Sequence, residues 1–178
     1  RYMYGGTVSV PLVVRVVIGK SWGQGPQHSQ ALHAFFMHVP GLKVVAPSTP
    51  YEAKGLLASS IRDPDPVIFL EPARVYRAIR DEVPEEEYTI PLGKARVAAE
   101  GSDVTVIAWG AMLQPVLKAA ELLREKELGV EVIDLRTLYP LDSEAIIESV
   151  KKTKKALVVH EAPRTCGLGA EIIAQINE

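Results

Sequence analysis

Residues 19 to 30 read GKSWGQGPQHSQ, and no other stretch of the chain gathers so many groups suited to chemistry. Gly19, Gly23, Gly25 and Pro26 let a backbone approach a ligand closely, and His28 adds one imidazole to the same loop. A neutral imidazole near pH 7 can take or give a proton, so general acid–base work is the chemistry to expect. The apolar run PLVVRVVIG over Pro11–Gly19 leads into the loop as a buried strand. In open parallel sheets, ligands sit in the crevice outside the carboxyl ends of the strands. Ser29 reads as the N-cap of a helix reaching about His38, which Pro40-Gly41 stops. A helix N-terminus beside His28 would disfavour imidazolium. On residue chemistry alone, a histidine that only hydrogen-bonds its own loop stands level with a catalytic one.

The other reactive residue types read more simply. His33 and His38 lie five apart, not at the i, i+4 spacing of a helical metal pair, which makes packing or surface roles the better account. His160 and Glu161 end a strand at the ligand-prone edge, where a structural or interface role outweighs catalysis. Gly167-Leu168-Gly169 opens a helix after a strand, but Ile172 stands where a dinucleotide fingerprint needs glycine, so a tight turn is expected. Cys166 has no histidine partner in sequence and reads as an inert thiol. Asp63-Pro64-Asp65-Pro66 closes a helix; two aspartates in a turn can bind a cation, but Asx-turn capping is the commoner use. Lys151, Lys152, Lys154 and Lys155 offset a helix dipole. The run Asp81–Glu87, with five acids, reads as a solvated linker.

The elements that hold these residues alternate in type. After the first strand and helix, Leu42–Pro47 is a strand. Thr49-Pro50-Tyr51-Glu52 combines a capping box with proline at the first helical position. Ala53, Leu56, Leu57, Ser60 and Ile61 give that helix its inward face. Pro66–Leu70 is the third strand. The pattern dissolves between Glu71 and about Glu100, then resumes with strands at Val104–Trp109, Val130–Arg136 and Ala156–His160. Helices are expected at Leu113–Lys126, Ser143–Lys152 and Leu168–Ile176. Such alternation means an α/β fold of two parallel-sheet units with right-handed crossovers.

Bulk properties set outer limits. The chain has 178 residues, 47% hydrophobic and 24% charged, enough for a real core. A net charge of -2 gives no electrostatic case for nucleic acid or an anionic membrane. No apolar run nears the roughly 20 residues a membrane span needs. One cysteine leaves no internal disulfide, which suits a cytoplasmic or organelle-matrix protein. The start at Arg1 and the stop at Glu178 inside an amphipathic segment read as those of a piece of a longer polypeptide.

WGQGPQHSQ (22–30), PGLKVVAPSTPYEAKGLL (40–57), VIFLEP (67–72), GSDVTVIAWG (101–110), EVIDLRTLYPLD (131–142) and VVHEAP (158–163) resemble, in order and spacing, β subunits of thiamine-diphosphate-dependent 2-oxo acid dehydrogenase decarboxylases. The resemblance covers essentially the whole chain. It implies the end of a pyrimidine-binding domain over residues 1–75, a linker over 76–99, and the start of a transketolase-like C-terminal domain over 100–178. It also implies oxidative decarboxylation of a 2-oxo acid, pyruvate or branched-chain, with acyl transfer to lipoyl groups. His28 stands at the family's active-site histidine, implicated in protonating the dithiolane. Main-chain carbonyls of Leu12, Ser60, Ile61, Asp63 and Asp65 match a structural potassium site, with Asp65 in place of a common asparagine. Thiamine diphosphate and magnesium would be bound with an α subunit, the activating glutamate lying upstream of Arg1. Further implied partners are a second β subunit and a lipoyl-bearing acyltransferase core, with a cytoplasmic or mitochondrial-matrix setting. The isolated chain should then turn nothing over. Two other readings stand beside this one, a fragment of a transketolase-type enzyme and a non-catalytic α/β module for assembly and docking.

Overall fold

A computed structural model describes residues 1–20 and 23–178. Ser21 and Trp22, both in the loop singled out above, lie outside the described residues. The expected alternation is present: β1 Val13–Ile18, α1 His33–Met37, β2 Lys43–Val45, α2 Pro50–Arg62, β3 Val67–Pro72, α3 Val75–Ala78, β4 Arg96–Ala99, β5 Val104–Ala108, α4 Leu113–Arg124, β6 Val130–Asp134, β7 Thr137–Tyr139, α5 Ser143–Thr153, β8 Ala156–Val159 and α6 Leu168–Asn177.

Two four-stranded sheets result, ordered β1-β3-β2-β7 and β4-β6-β5-β8. The centre of each is parallel, with Val14 and Val44 both opposite Ile68 in the first, and Val106 between Val132 and Leu157 in the second. Each sheet also gains one antiparallel strand that periodicity does not show. The stretch read as one strand over Val130–Arg136 is divided. Arg136 sits at φ +56, a conformation that costs a side-chain-bearing residue energy, and there the chain leaves the second sheet. β7 then pairs with β2 of the first, Val44 opposite Tyr139.

The units share one apolar core. Ile18, Val44, Ile68 and Leu70 of the first sheet pack with Ile107, Trp109, Ile133, Leu138, Ile146 and Ile172 of the later elements. Helix α2 starts as its sequence dictates: Thr49 Oγ1 accepts from the Glu52 N–H at 3.2 Å, and Pro50 fills the first helical position. Its buried face is Glu52, Gly55, Leu56 and Ser60; Ile61 points outward, 64% exposed. Residues 84–90 are not all free linker. Ile90 and Tyr88 fill the notch left by Gly55, where an added Cβ would lie 2.7 Å from Ile90.

Candidate functional site

The loop after β1 is closed at its base and stiffened from within. Gly19, at φ +82, donates its N–H to the Gln30 carbonyl at 2.8 Å. Pro26–His28 form a 3-10 turn entered by Gly25 at φ +75. Ser29 Oγ donates to the Gly25 carbonyl at 2.8 Å, and the Gln30 amide to the Pro26 carbonyl at 3.0 Å. His28 ends the turn, exposed. The helix expected from Ser29 begins instead at His33, with Leu32 at its N-cap. Ser29's hydroxyl serves its own turn, so His28 does not adjoin a helix N-terminus along the chain. An added Cβ at Gly23 or Gly25 would meet nothing within 4 Å, so the loop borders open space.

The second unit meets the loop through Glu161, two residues past β8. Its Oε1 accepts the Lys20 N–H at 2.8 Å, and its Oε2 lies 2.7 Å from where a Cβ on Gly19 would be. Behind it His160 stacks on Trp109, centroids 5.2 Å apart and planes within 9°, and His33 meets the same indole edge-on at 5.7 Å. His33 is 1% exposed, and neither of its ring nitrogens has a partner. Burial, aided by repulsion from His160, pushes its pKa down from 6.5 to about 4, and burial lowers that of His160 as well. The packing role read for His33 fits this position; His38 is exposed.

Composition and spacing gave no signal of a second cluster at the carboxyl ends of β2, β5 and β6. Ser48 Oγ donates to Asp134 Oδ1 at 2.9 Å and accepts the Gly110 N–H at 2.9 Å. Glu52 Oε2 accepts the Ser48 N–H at 3.1 Å. Arg96 lies 3.0 Å from Glu52 and 3.3 Å from Asp134. Both carboxylates are buried. Burial and the neighbouring Glu52 charge hold the Asp134 carboxyl well above the usual carboxylate range, against the pull of Arg96 and Ser48. The available signals were an aspartate ending the apolar run VEVID and a glutamate one turn into a capped helix.

The five candidate cation residues gather at the opposite end of the first sheet. The Leu12 carbonyl accepts the Val67 N–H at 2.8 Å where β1 and β3 begin, and the Ser60 carbonyl accepts the Asp63 N–H at 3.3 Å. Ser60, Ile61, Asp63 and Asp65 surround the C-terminus of α2. Lys43 Nζ lies 2.7 Å from Asp63 and 3.2 Å from Asp65, and Arg1 pairs with Asp65. The side-chain oxygens are therefore engaged by cations of the chain. Only main-chain carbonyls, at the negative end of a helix dipole, suit a monovalent ion. Asp63 Oδ1 also accepts the Asp65 N–H at 2.9 Å, the Asx turn read from sequence.

Gly167 and Gly169 permit close packing: a Cβ would lie 2.5 Å from the Pro163 carbonyl at the first and 2.7 Å from His160 Nε2 at the second. Cys166 is exposed, at φ +53. Lys152 pairs with Glu131 and Glu100. Among the described residues, no group of three or more His, Cys, Asp or Glu is placed to hold a metal, and no helix is long and apolar enough to cross a membrane.

Comparison with known proteins adds sequence relationships to this geometry. Family models for the transketolase pyrimidine-binding domain and the transketolase C-terminal domain match residues 1–78 and 93–178. The chain is 52% identical to the pyruvate dehydrogenase E1 component subunit beta of Acholeplasma laidlawii, over 97% of this chain and 53% of that protein. It is 49% identical to the subunit of the same name from Bacillus subtilis (strain 168), over 100% of this chain and 55% of the relative. The chain thus spans about half the length of these relatives. A solved split-gene transketolase, described as an inactive beta4 tetramer, superposes with a TM-score of 0.80 at 21% identity, covering 99% of this chain and 57% of that one. This last likeness concerns the fold. The chain belongs to the transketolase-like family, as a pyrimidine-binding domain followed by a C-terminal domain of the kind found in pyruvate dehydrogenase E1 β subunits.

Proposed function

We propose that this chain is part of the β subunit of a thiamine-diphosphate-dependent decarboxylase acting on a 2-oxo acid, and that His28 is its acid–base residue. The observation that carries this is His28 itself: an exposed imidazole on an internally bonded loop, at the carboxyl end of β1 and facing open space. Identity of 52% to a pyruvate dehydrogenase subunit favours pyruvate over a branched-chain substrate. When bound, thiamine diphosphate supplies the electron sink for decarboxylation.

Within this reading residues 1–75 belong to the pyrimidine-binding domain, 76–99 link, and 100–178 begin the C-terminal domain. The chain's own contribution is positional and protonic. The loop presents the imidazole to a 2-oxo acid and to the lipoyl arm that receives the acyl group, and its Nδ1 or Nε2 moves the proton at that transfer. The α subunit supplies the residues for the diphosphate and magnesium, and a second β subunit and an acyltransferase core complete the cytoplasmic assembly. Potassium, held by the carbonyls of Leu12, Ser60, Ile61, Asp63 and Asp65, would brace the far end of the sheet; a higher melting temperature in potassium than in sodium supports that site, and equal values remove it.

The test is the full-length β chain co-expressed with its α subunit, wild type against His28→Ala. General acid–base catalysis is worth about 100- to 10,000-fold, and a loss of that order is expected in acyl transfer to a lipoyl domain. Decarboxylation with an artificial electron acceptor is measured in parallel. Unchanged rates in both assays would leave His28 a loop histidine, and the chain then falls to the reading of an assembly and docking module. Turnover by the 178-residue chain alone would refute the need for partners.

A further inference from the structure

We infer that Glu161 is a positioning residue for His28, fixing from the second unit the loop that the first unit carries; this rests on the reading of His28 given above. A path of hydrogen bonds joins the two residues. His28 lies on a loop whose two ends are tied by the Gly19 N–H to the Gln30 carbonyl at 2.8 Å. Its last six residues are cross-bonded by Ser29 to Gly25 and by Gln30 to Pro26. Such a turn moves as a body, so anchoring its base sets where the imidazole stands.

Glu161 supplies the anchor. It accepts the Lys20 N–H at 2.8 Å, and its other oxygen occupies the space that only a glycine at 19 leaves open. A carboxylate accepting a backbone N–H makes a strong, charge-assisted bond. The anchor is itself fixed. His160, its neighbour, is stacked on buried Trp109 and wedged against Gly169. The sequence places Glu161 at the ligand-prone edge but does not name its partner, which stands 141 residues away.

The experiment uses the full-length β chain with its α subunit, thiamine diphosphate, magnesium and pyruvate. Displacing a reacting group by about 1 Å costs as much as 100-fold, so Glu161→Ala should lower kcat for acyl transfer about 10- to 100-fold with KM for pyruvate unchanged. Glu161→Gln, which keeps an oxygen acceptor, should restore most of it. In a His28→Ala background, Glu161→Ala should cost nothing further. Hydrogen exchange gives a readout independent of turnover: in the cofactor-free assembly, amides of residues 23–30 should exchange faster in Glu161→Ala than in wild type. Should Glu161→Ala fail to assemble, Glu161→Asp, with the charge kept and the reach shortened, carries the same comparison. Wild-type kcat in Glu161→Ala, or an equal loss with and without His28, overturns the inference. If His28→Ala alone leaves acyl transfer unchanged, the reading of His28 falls, and faster exchange at residues 23–30 would then show a loop anchor without a catalytic client.

Discussion

Replacing His33 by leucine should remove a specific acid sensitivity from this fold. The imidazole is 1% exposed, has no hydrogen-bond partner, and has its pKa pushed from 6.5 to about 4. The sign follows from where the proton goes. Below pH 6.5 the unfolded chain protonates His33 while the folded chain does not, so stability is full above that pH and drains away as pH falls toward 4. The fall in pKa corresponds to about 3.4 kcal/mol in all, of which about 2 kcal/mol is already lost at pH 5. Leucine has about the volume of histidine and no proton to bind, and it relieves two unpartnered ring nitrogens, each costly in an apolar site. The assay is urea unfolding of wild type and His33→Leu from pH 5 to pH 8, followed by far-ultraviolet circular dichroism. Comparing the two proteins cancels the titrating groups that do not interact with His33, Asp134 included. The stability difference should shift in favour of the leucine variant by about 2 kcal/mol between pH 8 and pH 5. Parallel curves would refute the reasoning and show that His33 is protonated, or solvated, in the folded chain.

Two further substitutions probe how the units are held together. Arg96→Met removes the cation paired with Glu52 and Asp134 and leaves only the charge of Arg136 acting on them; a loss of about 2 to 3 kcal/mol is expected at pH 8, below the usual cost of breaking a buried pair because Arg96 is partly solvated. Asp134 already resists ionisation, so the loss should shrink toward pH 5, and a penalty independent of pH would count against the buried-carboxylate account. Gly55→Ala should destabilise by about 1 to 2 kcal/mol in urea titrations, since the new Cβ strikes Ile90 and Tyr88 at 2.7 and 2.8 Å, and overpacking outweighs the roughly 1 kcal/mol gain in helix propensity. A stabilised variant would mean that residues 88–90 do not rest on α2.

What the sequence discloses and what it hides divide along physical lines. The longer strands and the capped helix α2 are legible because local rules, apolar runs and the Thr49–Glu52 cap, specify them, but the burial expected of β1 is not met: it is an edge strand with Val14 and Val17 exposed. Helix α1 is over-read because Ser29 has the right side chain for a cap, but a nearer partner, the Gly25 carbonyl, takes it. β7 and β4 are missed because, unlike the equally short β2 and β8, they sit outside any apolar run that marks a strand. The loop of His28 is visible through its glycines and proline. Glu161 is visible at the end of a strand, but its partner Lys20 is not, and neither is the meeting of Arg96 with Asp134, since these contacts span dozens of residues that no local pattern encodes.

The strand at Thr137–Tyr139 also sets the order in which a growing chain can be completed. β1, β2 and β3 have all emerged once Pro72 is made, yet β2 keeps an open edge until Tyr139 follows. At ordinary synthesis rates that interval lasts on the order of seconds. Throughout it Val44 and Val45, fully buried in the finished fold, sit on a strand paired with β3 on one side and open on the other. Pairing of Thr137–Tyr139 with β2 is therefore the step that closes the first sheet.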